Sequence, residues 1–264
     1  VVLGIRVPLL LFYILEGNQI LPDRMINYIV LEENDYAMYL GPIDTYFETG
    51  SYEFINGQQF AGRMPGYWLP YYFLRLLFSK GIAIQALILI QITLSVISCY
   101  FLALLARKIV CSDIAFYITL FIYSSLLCYL RFDFGTLSES ASISLFIIGT
   151  YFLFSKIPHY NNSDLLLIGF CFTWCFFLRP FLGYLLIPVG LVILSEQVNQ
   201  YKIKIWLFKM ILFCLPFIFA EGTWIARNYL VFDKFIPFET PLDQSYGRLY
   251  PKCWLAIRDL AGSF

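Results

Sequence analysis

The run from Ile82 to Ala106, IAIQALILIQITLSVISCYFLALLA, holds 25 residues without a formal charge. About 20 apolar residues as a helix suffice to cross the hydrocarbon core of a bilayer. A soluble core helix rarely needs that length, so this stretch predicts a membrane span and sets the class of the chain. Composition agrees. Of 264 residues, 60% are hydrophobic, 20% aromatic and only 14% charged, against roughly 25% charged in an ordinary soluble domain. The 18 Lys and Arg balance the 18 Asp and Glu, so no net positive field offers itself to nucleic acid.

Working outward, further apolar runs predict spans over 114–130, 140–155, 165–178, 181–195 and 205 to about 224. The opening stretch 1–15, with Arg6 and Pro8, reads as a first span whose beginning is missing; a cleaved signal peptide is the competing reading. The expected architecture is an all-α integral membrane protein of about seven transmembrane helices. Arg179-Pro180 divides two of them, since proline removes a backbone donor; a broken helix or re-entrant hairpin would also fit. The single unit 1–264 divides into a large loop with interfacial helix (16–80), a helical bundle (82–224) and an outer segment (225–264).

Lys and Arg bias orients the chain. Arg107, Lys108, Lys156, Lys202, Lys204 and Lys209 fall on one side, and Arg131, Arg179, Arg227 and Lys234 on the other. The first group is assigned to the cytoplasm, which leaves the acidic first loop outside; a bacterial inner membrane is the expected setting. Tyr67, Trp68, Tyr71 and Tyr72 with Arg75 and Lys80 predict a helix at headgroup level, its rings forming an interfacial belt. Five of the seven cysteines, Cys99, Cys128, Cys171, Cys175 and Cys214, sit in apolar runs and read as buried thiols. His159 has no Cys or His at ligand spacing, which argues against zinc.

Four polar residues fall on the outer side of this threading: Asp35, Glu139, Arg179 and Arg227. Each has a plain structural reading. Asp35 suits a solvated loop or helix cap, Thr136-Leu137-Ser138-Glu139 fits a capping box, and the two arginines fit snorkelling anchors. Glu221, inside the last span, reads as an acid that snorkels or pairs with a nearby arginine, an additional site acid facing a wet cavity being the other reading.

The order of short motifs resembles one family. Asn34-Asp35-Tyr36, Glu48-Thr49-Gly50-Ser51-Tyr52 and Arg63-Met64-Pro65-Gly66-Tyr67 look like the first extracytoplasmic loop of GT-C glycosyltransferases. The bacterial relatives of the dolichyl-phosphate-mannose protein mannosyltransferases are the nearest in pattern. Leu137-Ser138-Glu139-Ser140, Leu178-Arg179-Pro180, Trp224-Ile225-Ala226-Arg227-Asn228-Tyr229 and Phe235-Ile236-Pro237 follow in that family's order, so the resemblance covers about 1–240. It implies inverting transfer of a sugar from a polyprenyl-phosphate donor to a hydroxyl acceptor, with Asp35 at the position of the essential acid. It also implies a substrate site that includes Arg179 and Arg227 near the lipid phosphate, with Glu139, Arg63 and Tyr67 beside them. Relatives extend further, so a fragment or degenerate copy of a longer chain is expected.

The residue chemistry is compatible with that reading. A carboxylate can take the acceptor's proton, and a planar guanidinium suits phosphate oxygens. A divalent cation held by Asp35 and Glu139 is a further option. Two other classes stay open: a non-catalytic GT-C-like subunit or scaffold, and a transporter or flippase whose arginines collect an anion.

Overall fold

The computed structural model describes residues 37–53, 61–125, 132–157, 159–198 and 203–238. Among them the secondary structure is helical, with no sheet. We label the helices α1 (Gly41–Thr49), α2 (Pro65–Leu77), α3 (Lys80–Val110), α4 (Asp113–Ser125), α5 (Ser138–Ser155), α6 (Asn162–Leu178), α7 (Leu186–Val198) and α8 (Ile203–Phe232). A 3₁₀ segment, Pro180–Leu185, joins α6 to α7.

Two helices are long and apolar enough to cross a membrane by length and composition: Lys80–Val110 and the part of α8 from Lys204 to Phe232. Apolar helices of 10–17 residues occupy Asp113–Ser125, Asn162–Leu178 and Pro180–Ser195. Of the seven expected spans, helices of crossing length and hydropathy are therefore shown for two, and the stretch 1–15 lies outside the described residues.

The helices alternate in direction. Lys108 at the end of α3 donates to the carbonyls of Phe154 and Ser155 at the end of α5 (2.8 and 3.1 Å), so α3 and α5 run parallel. Glu139 at the start of α5 pairs with Arg179 just past α6, so those two are antiparallel. Gly169 meets the backbone of Phe213, and Trp224 packs on Phe176 and Phe177; α6 and α8 therefore run parallel, with α7 as the return between them. Arg179, the residue before Pro180, is extended at φ −145° and ψ 100°, the region that a following proline favours. The chain breaks there into a hairpin rather than one continuous helix.

The surface of this bundle is apolar and its interior partly polar. Ile90, Phe121, Ile187, Leu191, Ile218 and Phe219 are exposed, whereas Gln91, Ser95, Ser98, Ser140, Ser142 and Ser144 are buried. An apolar face of that extent does not suit water, while small polar residues between helices allow close packing without a hydrophobic driving force.

At the start of α5 the structure departs from the sequence expectation. The helix begins at Ser138 after the extended Leu137, with no side-chain cap, so Thr136 closes no capping box. Asp133, 1% exposed, accepts from Ser95 (3.0 Å) and Ser140 (2.5 Å). Gln91 donates to the carbonyls of Phe132 and Gly135 (2.7 and 3.0 Å), so tertiary bonds hold the segment that leads into α5. Lys209 also differs: it is buried on α8 and donates to the Tyr160 carbonyl (3.1 Å), not a loop cation.

Candidate functional site

The alternation of α3, α5, α6 and α8 brings the start of α5, the end of α6 and the end of α8 to one end of the bundle. Helix α2 covers that end. Pro65 lies at its first turn, where a missing N–H costs nothing, and Gly66 lets its backbone touch α6: a Cβ there would lie 2.6 Å from the Leu178 nitrogen and the Phe177 oxygen. The motif Arg63 to Tyr67 is thereby set against Leu178-Arg179.

Arg179 and Glu139, each partly exposed, form an ion pair through Glu139 Oε1, and Glu139 Oε2 is buried with no hydrogen-bond partner among the described residues. Tyr39 reaches the same place. Its hydroxyl shares a hydrogen bond with Ser138 Oγ (3.0 Å), its ring meets Tyr67 edge-on at 5.3 Å, and the Arg63 guanidinium lies 4.6 Å over it. Tyr67 donates to Gln91 Oε1 (3.2 Å). Burial, with the nearby Tyr39 and Glu139 adding to it, pushes the Tyr67 phenol well above its usual value, so it stays a neutral donor.

Arg227 joins from the other side. Its guanidinium lies 5.0 Å over Tyr52, 5.5 Å over Trp224 and 5.4 Å over Phe232, and it donates to Asn228 Oδ1 (2.8 Å). Tyr52 in turn meets Trp68 at 5.3 Å, and Trp68 donates its indole N–H to the Arg63 carbonyl (3.4 Å). Burial raises the Tyr52 phenol too, opposed by the Arg227 charge. A continuous layer of aromatic and cationic groups thus runs from Arg227 through Tyr52, Trp68, Arg63 and Tyr39 to Glu139 and Arg179.

Of the residues singled out from sequence, the structure brings together Glu139, Arg179, Arg63 and Tyr67, and links Arg227 to them through Tyr52 and Trp68. Asp35 lies outside the described residues. Tyr67 and Tyr71 are buried, 3% and 0% exposed, instead of forming a surface belt; Tyr71 donates to Asp44 (2.8 Å), which also pairs with Arg75 and Lys80 at 3.3 and 2.9 Å. Glu221 is buried instead of snorkelling, and among the described residues it pairs with no arginine and its Oε2 has no hydrogen-bond partner. Sequence reasoning missed Tyr39 and Asp133; a lone acid between two apolar runs, as at Asp133, was the available signal.

Cys99, Cys171 and Cys175 are buried, Cys214 is partly so, and Cys111 is exposed. Among the described residues no three His, Cys, Asp or Glu side chains gather as a metal site. A surface depression lined by Leu104, Arg107, Lys108 and Cys111 to Asp113 lies at the opposite end of the bundle, away from this layer. No family model matches the chain, and neither a curated protein nor a solved structure matches it.

Proposed function

We propose that this chain is a GT-C-type membrane glycosyltransferase that moves a sugar from a polyprenyl-phosphate donor to a hydroxyl acceptor on the extracytoplasmic face. In this reading α3 to α8 supply six crossings, 1–15 a seventh, and the shorter helices match the bilayer by local thinning. The bundle's apolar exterior supports the membrane setting. The observation that carries the functional reading is the single connected layer of Glu139, Arg179, Arg63, Tyr67 and Arg227 at one end.

That arrangement suits the chemistry. A polyprenyl tail stays in hydrocarbon while its phosphate and sugar need polar partners, so the reaction belongs where helix ends meet the covering α2. Tyr39, four residues after Asp35 in the sequence, is bonded beside Glu139 through Ser138. Asp35 takes the proton from the acceptor hydroxyl as its oxygen attacks the anomeric carbon. The bond from that carbon to the phosphate oxygen breaks with inversion, and the electron pair leaves on the lipid phosphate. Arg179 and Arg227 stabilise that growing charge, and Glu139 aims the Arg179 fork.

The test supplies the protein in nanodiscs with radiolabelled polyprenyl-phosphate sugars and a membrane acceptor extract. Transfer is expected, with a fall of about 10²- to 10⁴-fold in Asp35→Asn. Equal transfer by the wild type and Asp35→Asn, or none by either, overturns the proposal.

A further inference from the structure

Among the described residues, three side chains on α6 and α8 that are more than nine-tenths buried and that the proposed mechanism does not use carry a buried polar atom without a hydrogen-bond partner. Glu221 is 7% exposed, Trp224 4% and Thr173 3%. Glu221 Oε2, Trp224 Nε1 and Thr173 Oγ1 each have no hydrogen-bond partner among the described residues. Buried polar atoms in native proteins are nearly always satisfied, so three along one seam point to a bound group that completes them. Glu221 and Trp224 are one turn apart on the buried face of α8, and Trp224 packs on Phe176 and Phe177, one turn beyond Thr173 on α6.

The three atoms complement one another. An indole N–H only donates, a threonine hydroxyl does both, and a carboxyl group accepts when ionised and donates when protonated. A group satisfying all three in either state of the carboxyl must itself donate and accept at several points, as a polyhydroxylated ring does and a phosphate does not. The opposite side of α8, with Ile218 and Phe219 exposed, is mostly apolar. Arg227 follows Trp224 by one turn and touches its ring, so a phosphate at Arg227 would be covalently within reach of a sugar on the buried face.

We infer that Glu221, Trp224 and Thr173 form the subsite that holds the donor's sugar hydroxyls, next to Arg227 as the phosphate-binding residue. This rests on the glycosyltransferase reading. It separates two roles along α8: the carboxylate and indole select the sugar, and the guanidinium binds the carrier whatever it bears.

The test measures binding of two probes to the protein in nanodiscs: polyprenyl phosphate alone, and the same lipid carrying a hexose, drawn from a small panel. Glu221→Gln, Trp224→Phe and Thr173→Val are expected to weaken the sugar-bearing lipid about tenfold each, as loss of one buried hydrogen bond should, and to leave the bare lipid unchanged. Arg227→Gln should weaken both alike. If the wild type binds both lipids and the three variants bind the sugar-bearing one as tightly as the wild type does, the subsite is overturned while the functional reading stands. If they lose both lipids equally, the residues serve packing and the subsite is likewise overturned. Failure of the wild type to bind either lipid overturns the functional reading itself.

Discussion

The two long helices differ in part in how their buried polar groups are met: Lys209 and Asn228 on α8 are bonded to the Tyr160 and Ile236 carbonyls, but others on that helix are not. On α3, Gln91 bonds to Tyr67 and to the carbonyls of Phe132 and Gly135, and Ser95 bonds to Asp133. On α8, Glu221 Oε2 and Trp224 Nε1 have no such partner among the described residues. A satisfied buried network fixes a structure and does so at both ends of every bond; an unsatisfied one costs stability and persists where something else completes it. In the function proposed above, α3 holds the site together and α8 meets the substrate.

Substitutions can break that contrast. Gln91→Leu deprives several buried groups of their partner and should lower stability by about 1–3 kcal/mol for each group left unmet, seen as a marked fall in the detergent melting temperature. Gly169→Ala should rank close behind at about 1–3 kcal/mol, because the added methyl meets the Phe213 carbonyl and forces α6 from α8. By contrast, Glu221→Gln should leave stability within about 1 kcal/mol of the wild type or raise it, since a neutral amide of the same shape replaces a buried carboxyl group whose Oε2 has no partner among the described residues. A large loss there would end the distinction between the two helices.

A titration sharpens the comparison on the α3 side. Tyr67 is raised in the folded protein, so stability is full below the unfolded phenol value near 10 and declines as pH climbs from there toward the folded value. Tyr67→Phe should flatten that alkaline decline in a melting series, at the expense of its bond to Gln91. The smallest effect is expected at the opposite end, where Arg107 and Asp113 pair at 2.7 Å with both side chains more than half exposed. Arg107→Gln should change the melting temperature barely at all, as exposed ion pairs do.

Much of the helix layout was legible because charge-free runs mark helices directly: 82–106 lies inside α3, and Pro180 sits where α6 gives way. Which face a residue presents was not. Tyr67 and Tyr71 share a composition with interfacial aromatics, yet their hydroxyls are committed to Gln91 and Asp44, residues 24 and 27 positions away. Thr136-Leu137-Ser138-Glu139 carries a local capping pattern, but Ser138 and Glu139 bond to Tyr39 and Arg179 instead. Glu221 looked able to reach an interface, and only its position on the buried stripe with Phe213, Trp224 and Asn228 shows otherwise. In the candidate site, the arginine and glutamate positions were legible as charges at helix ends, whereas Tyr39 and Tyr52 acquire meaning only from long-range packing.

The Glu139–Arg179 pair also bears on how the chain enters a bilayer. Helices α5 and α6 are antiparallel neighbours joined by a short connection, and the pair closes their open ends. In the membrane reading proposed above, opposite charges meeting there would cancel, so that each partner would shield the other as the two segments entered a bilayer together. Reversing both residues together, as Glu139→Arg with Arg179→Glu, would preserve that assembly step while destroying any role of the guanidinium at its own position.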